Sequence, residues 1–152
     1  MTDVHSPEVR SRNMAAIRGK DTKPELIVRR ELHADGFRYK LHDRSLPGKP
    51  DLVFPKYRAV VFVHGCFWHG HDCPYFHLPA TRTDFWKEKI GRTKKLDAER
   101  ISALLEDGWR VGEVWECALR GRNKLILGQV IRSLEDWLVG AKRCVVIRGK
   151  TN

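Results

Sequence analysis

The chain has 152 residues, with 29 Lys and Arg against 19 Asp and Glu, a formal net charge of +10. That length supports one domain with a core of its own, and a 41% hydrophobic content excludes wholesale disorder. The charge surplus points to a polyanionic partner, while the lack of a long apolar span or a basic amphipathic helix speaks against a membrane.

Residues 1–20 are polar and basic, with Met14, Ala15, Ala16 and Ile17 as a short apolar patch. They lack the apolar centre of a signal peptide, which predicts a cytoplasmic protein. Ser6 before Pro7 is a helix start. The segment reads either as a helix docked on the body or as a basic arm that closes on a ligand. Thr22-Lys23-Pro24-Glu25 reads as a capping box, with Glu25 as its acid. The helix it opens runs through Leu26, Ile27, Arg30 and Leu32 toward Gly36. Residues 37–41 alternate apolar and basic side chains, as a half-exposed strand does.

A turn-rich loop at 45–50 delivers Pro50-Asp51 to the apolar stretch Leu52-Val53-Phe54. Residues 55–57 turn the chain, and 58–63 form the next strand of a β-hairpin. Asp51 is thereby brought near His64, where the second strand ends. There the sequence reads HGCFWHGHDC over residues 64–73: three His, two Cys and an adjacent Phe-Trp pair. After an irregular stretch, Thr83 is a good N-cap for a helix over 84–107, with Gly108 behind it. Leu96, Ile101, Leu104 and Leu105 form its buried stripe. Its first half sets Phe85 and Trp86 among Arg82, Lys87, Lys89, Arg92, Lys94 and Lys95. That face reads as a nucleic-acid surface or as a solvated helix with Phe85 buried. A central strand is expected over 109–115, then a helix over 124–138 carrying Leu125, Val130, Ile131, Leu134 and Trp137, stopped by Gly140. The basic tail 141–152 reads as loose, with Cys144 a lone thiol. The order predicts an α/β fold, a mixed sheet flanked by helices, with its body at 21–140.

In a reducing compartment the cysteines read as metal ligands or buried thiols rather than disulfides. Cys66, His71, Cys73 and Cys117 make a donor set suited to structural zinc. The alternative is buried cysteines with unrelated His neighbours. Asp51 alone is a sparse magnesium site, completed by backbone carbonyls and waters, and a neutral His64 or His69 could take a proton from an attacking water. Such a set suits phosphodiester hydrolysis. Without a neighbouring carboxylate, either His would more often be a surface or metal-shell residue. Phe67 and Trp68 cannot both turn inward from a pinned loop, so they offer stacking surfaces for bases, with Trp86 as a third ring and Lys89 among the cations beside it.

Five stretches resemble the Vsr family of very short patch repair endonucleases: SLPGKPD at 45–51, HGCFWH at 64–69, PATRTDFW at 79–86, WECALRG at 115–121 and RSRNM at 10–14. The resemblance covers about residues 3–140. It implies a restriction-endonuclease-like fold and an enzyme that nicks double-stranded DNA 5′ to the T of a T:G mismatch left by deamination of 5-methylcytosine; the chain is expected to act as a monomer. By resemblance, Asp51 is the magnesium carboxylate and Val63 lends the ion its carbonyl. His69 is the base, and His64 and Glu25 support catalysis. Cys66, His71, Cys73 and Cys117 match the zinc ligands. Phe67, Trp68 and Trp86 match aromatics that wedge into the duplex, and Met14 matches a residue entering from the minor groove. A mismatch-repair partner follows from the resemblance alone. Restriction-type enzymes usually follow Pro-Asp with an acid-x-Lys triplet; Phe62-Val63-His64 stands in its place, a loss that the family accommodates with the carbonyl and the histidines. Val63 replaces an expected Thr, and Gly70 replaces an expected His, which would loosen the loop or shift the wedge. Residues 91–93 are also variant, which bears on sequence context. Two further readings stay open: a zinc-stabilised DNA-binding module without catalysis, and a restriction-type enzyme that cuts unmismatched sites.

Overall fold

The computed structural model describes residues 22–151; the N-terminal arm with Met14 lies outside the described residues. Helix α1 (Lys23–Ala34) precedes strands β1 (Lys40–Leu41), β2 (Leu52–Phe54) and β3 (Ala59–His64), the last two joined by a single 3-10 turn (Pro55–Tyr57). The long helix α2 (Thr83–Glu106) crosses to β4 (Arg110–Trp115), followed by the short α3 (Glu116–Leu119), α4 (Leu127–Val139) and β5 (Cys144–Ile147). The strands form one sheet in the order β1-β2-β3-β4-β5. The first three pair antiparallel, while β3–β4 and β4–β5 pair parallel. This is the expected mixed sheet.

Period-2 alternation sorts the hairpin onto two faces. Leu52, Phe54, Ala59 and Val61 pack with Val28 and Leu32 of α1 and with Val130, Leu134 and Leu138 of α4. Val53, Val60 and Phe62 point the other way, onto Leu104 of α2. The sheet is therefore covered on both sides, as parallel strands require. Gly112 lets the Trp137 ring lie against β4: a Cβ there would sit 3.0 Å from the indole. Arg110 stacks on that ring and donates to the carbonyls of Trp137 and Leu138 at 2.8 and 2.7 Å. A cation thus closes the last turn of α4, where orphan carbonyls and the helix dipole both call for one. Among the described residues no helix is long and apolar enough to cross a membrane.

Several local expectations are corrected. Thr22 does cap α1, accepting from the Glu25 amide at 3.4 Å, but the Glu25 carboxylate is spent on Arg29 and His42 rather than on a capping box. Thr83 is not the cap of α2. Its hydroxyl donates back to the carbonyls of Pro79 and Ala80, and Arg82, in the left-handed region, holds the cap position. Leu96 is 38% exposed, and Ile90 is buried instead. Phe85 is 43% exposed, which rules out its burial. The strand expected over 37–41 shortens to two residues, and α4 begins three residues late, at Leu127.

The largest correction concerns the tail. Residues 141–152 do not hang loose: Cys144–Ile147 is β5, paired along β4 from Val111 to Val114, with Ile147 buried. Deleting residues 141–152 should therefore lower the melting temperature by about 10 °C or more, measured by circular dichroism; an unchanged melt would mean that β5 adds nothing to the fold.

Candidate active site and metal centre

Strands β3 and β4 run parallel and in register, so His64 lies opposite Trp115 and both chains leave the sheet at one edge. One residue beyond the paired end of β2, Asp51 stands at the same edge. Its Oδ2 accepts the Val63 amide at 2.7 Å. A cleft of about 730 Å³ opens there, with Asp51, Val63, His64, His69, His42 and Asp97 in its wall.

Asp51 is 9% exposed and Glu25, from α1, only 1%. Burial pushes the Asp51 carboxyl well above the usual carboxylate range, and the nearby Glu25 pushes it further, against the Val63 amide bond. Glu25 Oε2 takes Arg29 at 2.9 Å and His42 Nε2 at 2.8 Å. Its other oxygen is buried without a hydrogen-bond partner. Glu25, His42 and Asp51 each offer a ligand atom, all within 4.8 Å of one another, so the three could hold a metal ion. Two buried carboxylates with one oxygen unsatisfied are the environment that a divalent cation relieves. Sequence reasoning missed His42. The available signal was hairpin register: Leu41 pairs with Leu52, which sets His42 beside Asp51.

His64 is buried, with Nε2 at 3.0 Å from Glu113 Oε1 on β4. Burial holds its pKa below the usual imidazole value, in spite of the upward pull of Glu113. Its ring stacks on Phe62 and sits 4.4 Å, centroid to centroid, from His69. The Nδ1 of His69 meets Asp97 Oδ2 at 2.6 Å. Asp97, from α2, is the neighbouring carboxylate that the sequence did not reveal. It shares the inward face with Ile101 and Leu104, at i+4 and i+7, and an acid on a buried stripe is the signal that could have found it.

The loop 64–73 folds back on itself through His71 N–H to the Cys66 carbonyl and Cys73 N–H to the His71 carbonyl, both 2.9 Å. Its thiols meet Cys117, which β4 delivers two residues past its end. Cys66, His71, Cys73 and Cys117 place their ligand atoms within 4.8 Å of one another, so the expected set is assembled and could hold a metal ion. Cys117 Sγ lies 3.7 Å from His71 Nδ1. Outer contacts fix the set: Gly149 N–H donates to Cys117 Sγ at 3.2 Å, Cys66 N–H to Glu116 Oε1 at 3.2 Å, and Arg148 to the Asp72 carbonyl. Gly149 admits no side chain, since a Cβ would lie 2.4 Å from the Cys117 carbonyl. Burial pushes both the Cys66 and Cys117 thiols up, and lowers the His71 pKa to about 4 with help from Arg148. The imidazole is thus neutral, as a ligand must be. Trp115 joins the two centres: its ring stacks on His71 at 3.9 Å and touches His64 at 4.6 Å.

Gly70 does not loosen the loop. It adopts φ +59°, and a Cβ there would come within 2.6 Å of Ile90 and 2.9 Å of Lys94 on α2. The glycine lets the loop dock tightly on that helix. Phe67, Trp68 and Trp86 are half-buried and form one aromatic cluster, with centroids 5.1 to 5.8 Å apart. Phe67 and Trp68 therefore share their burial. Lys89 Nζ lies 5.6 Å from the Trp86 ring centre and 5.9 Å from those of Trp68 and Phe85, and Arg82 covers Phe85 at 4.3 Å. The result is a cationic, aromatic surface beside the cleft.

The family model for DNA mismatch endonuclease Vsr matches residues 2–75. The chain is 51% identical over 140 residues to the DNA mismatch endonuclease Vsr of Escherichia coli (strain K12), covering 92% of this chain and 90% of that protein. It is 50% identical over 119 residues to the type II nicking enzyme V.XorIIP of Xanthomonas oryzae pv. oryzae, covering 78% and 88% of the two chains. It is 44% identical over 140 residues to the type II nicking enzyme V.NmeAIP of Neisseria meningitidis serogroup A, covering 90% and 99%. With half of its residues shared over nine-tenths of both chains, the protein belongs to the Vsr family of DNA mismatch endonucleases.

Proposed function

We propose that the protein is a magnesium-dependent endonuclease of restriction-type fold, held together by a structural zinc, that nicks the T-containing strand 5′ to the T of a T:G mismatch. Its place would be very short patch repair in the cytoplasm, as a monomer on DNA of the nucleoid, handing the nick to mismatch-repair proteins. The observation that carries this reading is the convergence in one cleft of the buried Asp51, whose carboxylate neighbours that of Glu25, and the Asp97-held His69. The net charge of +10 and the names of the related enzymes support DNA as the substrate.

Asp51 and Glu25 would hold the magnesium, joined by the Val63 carbonyl. When bound, magnesium offsets the charge of the phosphate and makes water a better nucleophile at neutral pH. Asp97 accepts the Nδ1 proton of His69, which fixes the tautomer and leaves Nε2 as the acceptor for a proton from water. No described residue bonds that nitrogen. His64, tied to Glu113, packs on His69 and keeps its ring facing the cleft. Loss of the 3′ oxygen then leaves a 3′-hydroxyl and a 5′-phosphate. Phe67, Trp68 and Trp86 form the wedge beside the mismatch, Lys89 pairs with a phosphate, and Met14 reaches the duplex from the arm.

The zinc assignment rests on donor chemistry. Three thiolates and an imidazole suit tetrahedral zinc, whose bond lengths set neighbouring ligand atoms about 3.5–3.8 Å apart. The Cys117–His71 separation of 3.7 Å fits that edge. Four protein ligands close such a site, so its work is to pin the loop that carries His64 and His69.

End-labelled duplexes test the activity. A T:G mismatch in a cytosine-methylase site should be nicked in the T strand with magnesium, while the matched duplex stays whole; cleavage of both strands, or none, would refute the assignment. Asp97→Asn should slow the nick by about 10²–10⁴-fold, the usual worth of a positioned base; a wild-type rate would free His69 of that role. Elemental analysis should find one zinc per chain, lost together with cooperative folding in Cys117→Ser; purified protein without zinc would contradict the donor set.

Asp51→Asn should abolish nicking yet stabilise the magnesium-free protein. Folding raises the Asp51 pKa, so the ionised carboxylate costs stability progressively as pH climbs from the ordinary carboxylate range through the folded value. The asparagine keeps the acceptor for the Val63 amide and carries no charge. Its advantage should be near zero at acid pH and about 1 kcal/mol at neutral pH, read by urea unfolding; a variant less stable than wild type at neutral pH would contradict the like-charge account.

A further inference from the structure

We infer that His42 is a direct ligand in the cation site, so that Glu25, His42 and Asp51 form a mixed nitrogen–oxygen centre that takes first-row transition ions such as Mn2+ more tightly than Mg2+. The inference deepens the proposed nuclease reading and rests on Asp51 as a metal carboxylate.

Four observations converge on it. One ligand atom from each of the three side chains falls within 4.8 Å of the others. Glu25 is 1% exposed and its Oε1 has no hydrogen-bond partner, a rare condition for a buried carboxylate oxygen. Arg29 and His42 both address the other oxygen, so neither satisfies this one. His42 also adopts φ +47°, a left-handed conformation uncommon for residues other than Gly, although His enters it more often than most. Its amide donates to the Asp51 carbonyl at 3.1 Å, which pins the strained residue in register with the carboxylate it would join. Strain of this kind gathers where a site over-determines the backbone.

The donor types decide the ion. Magnesium takes oxygen ligands and keeps its waters, so an imidazole adds little for it. First-row ions gain affinity from nitrogen donors, increasingly from Mn2+ toward Cu2+. A simple Glu25–His42 ion pair is the competing account, and it assigns His42 no part in binding a cation.

Manganese, added to the full-length zinc-loaded protein without DNA, separates the two. Free Mn2+ is counted by its continuous-wave resonance, and electron spin-echo modulation reports nitrogen on the bound ion. Wild type should bind Mn2+ about tenfold or more tighter than it binds Mg2+ in competition. Its nitrogen-14 modulation should vanish in protein grown with 15N-labelled histidine. His42→Asn, which tolerates the left-handed backbone, should lose the modulation and about tenfold or more in Mn2+ affinity, with zinc content and circular dichroism unchanged. Absence of nitrogen modulation from wild type would overturn the inference, as would modulation that persists undiminished in His42→Asn. Asp51→Asn distinguishes the wider failure. Mn2+ binding that survives that change sinks the nuclease centre itself, whereas its loss, with no histidine signal in wild type, sinks only the role of His42.

Discussion

The parallel register of β3 on β4 is the constraint from which the rest follows. It sets His64 opposite Trp115 and releases both chains at one edge of the sheet. Two residues past each strand end come Cys66 and Cys117, which therefore meet. The antiparallel β2 brings Asp51 to the same edge from the other side. A slip of one residue would turn His64 to the opposite face and separate the cysteines, and the covered faces of the sheet forbid it. The groups proposed for catalysis and metal binding are close because the hydrophobic alternation of Val60, Val61 and Phe62 admits one register.

The two centres are one structure rather than two neighbours. Trp115 stacks on the metal-set His71 on one side and touches His64 on the other. His64 packs on His69, and Asp97 from α2 holds His69. Gly70 docks the loop on that same helix. Ordering the thiol cluster thus orders the imidazoles that face the cleft. The tail closes the arrangement, since Gly149 donates to the Cys117 sulfur. Opposing this order is the cost of burying Asp51 and Glu25 side by side, a cost of the sort that gathers at functional sites.

Local signals carried the parts of this design that local physics controls. Alternating apolar residues gave the hairpin, and its geometry placed Asp51 near His64. Reading the cysteines as ligands rather than disulfides picked out Cys66, His71, Cys73 and Cys117, which do assemble. What stayed hidden depends on packing between distant elements. Asp97, Glu113 and His42 look like ordinary surface residues until α2, β4 and β1 are folded against the loop. Glu25 fits a capping box in the sequence, yet burial beside Asp51 and a closer His42 draw its carboxylate away from the helix end. Residues 144–147 read as tail because the short edge strand has polar and basic neighbours; its partner β4 lies more than thirty residues back. Gly70 looked like a gap in the cluster, and only its contact with Ile90 reveals why a side chain is excluded.

Anomalous scattering from crystals of the zinc-loaded protein soaked in manganese tests the central claim most directly, because it locates both ions at once. The account expects two peaks per chain: zinc among Cys66, His71, Cys73 and Cys117, and manganese against Asp51 between Glu25 and His42. A chain with no peak beside Asp51, or with its manganese bound elsewhere in the cleft, would contradict it.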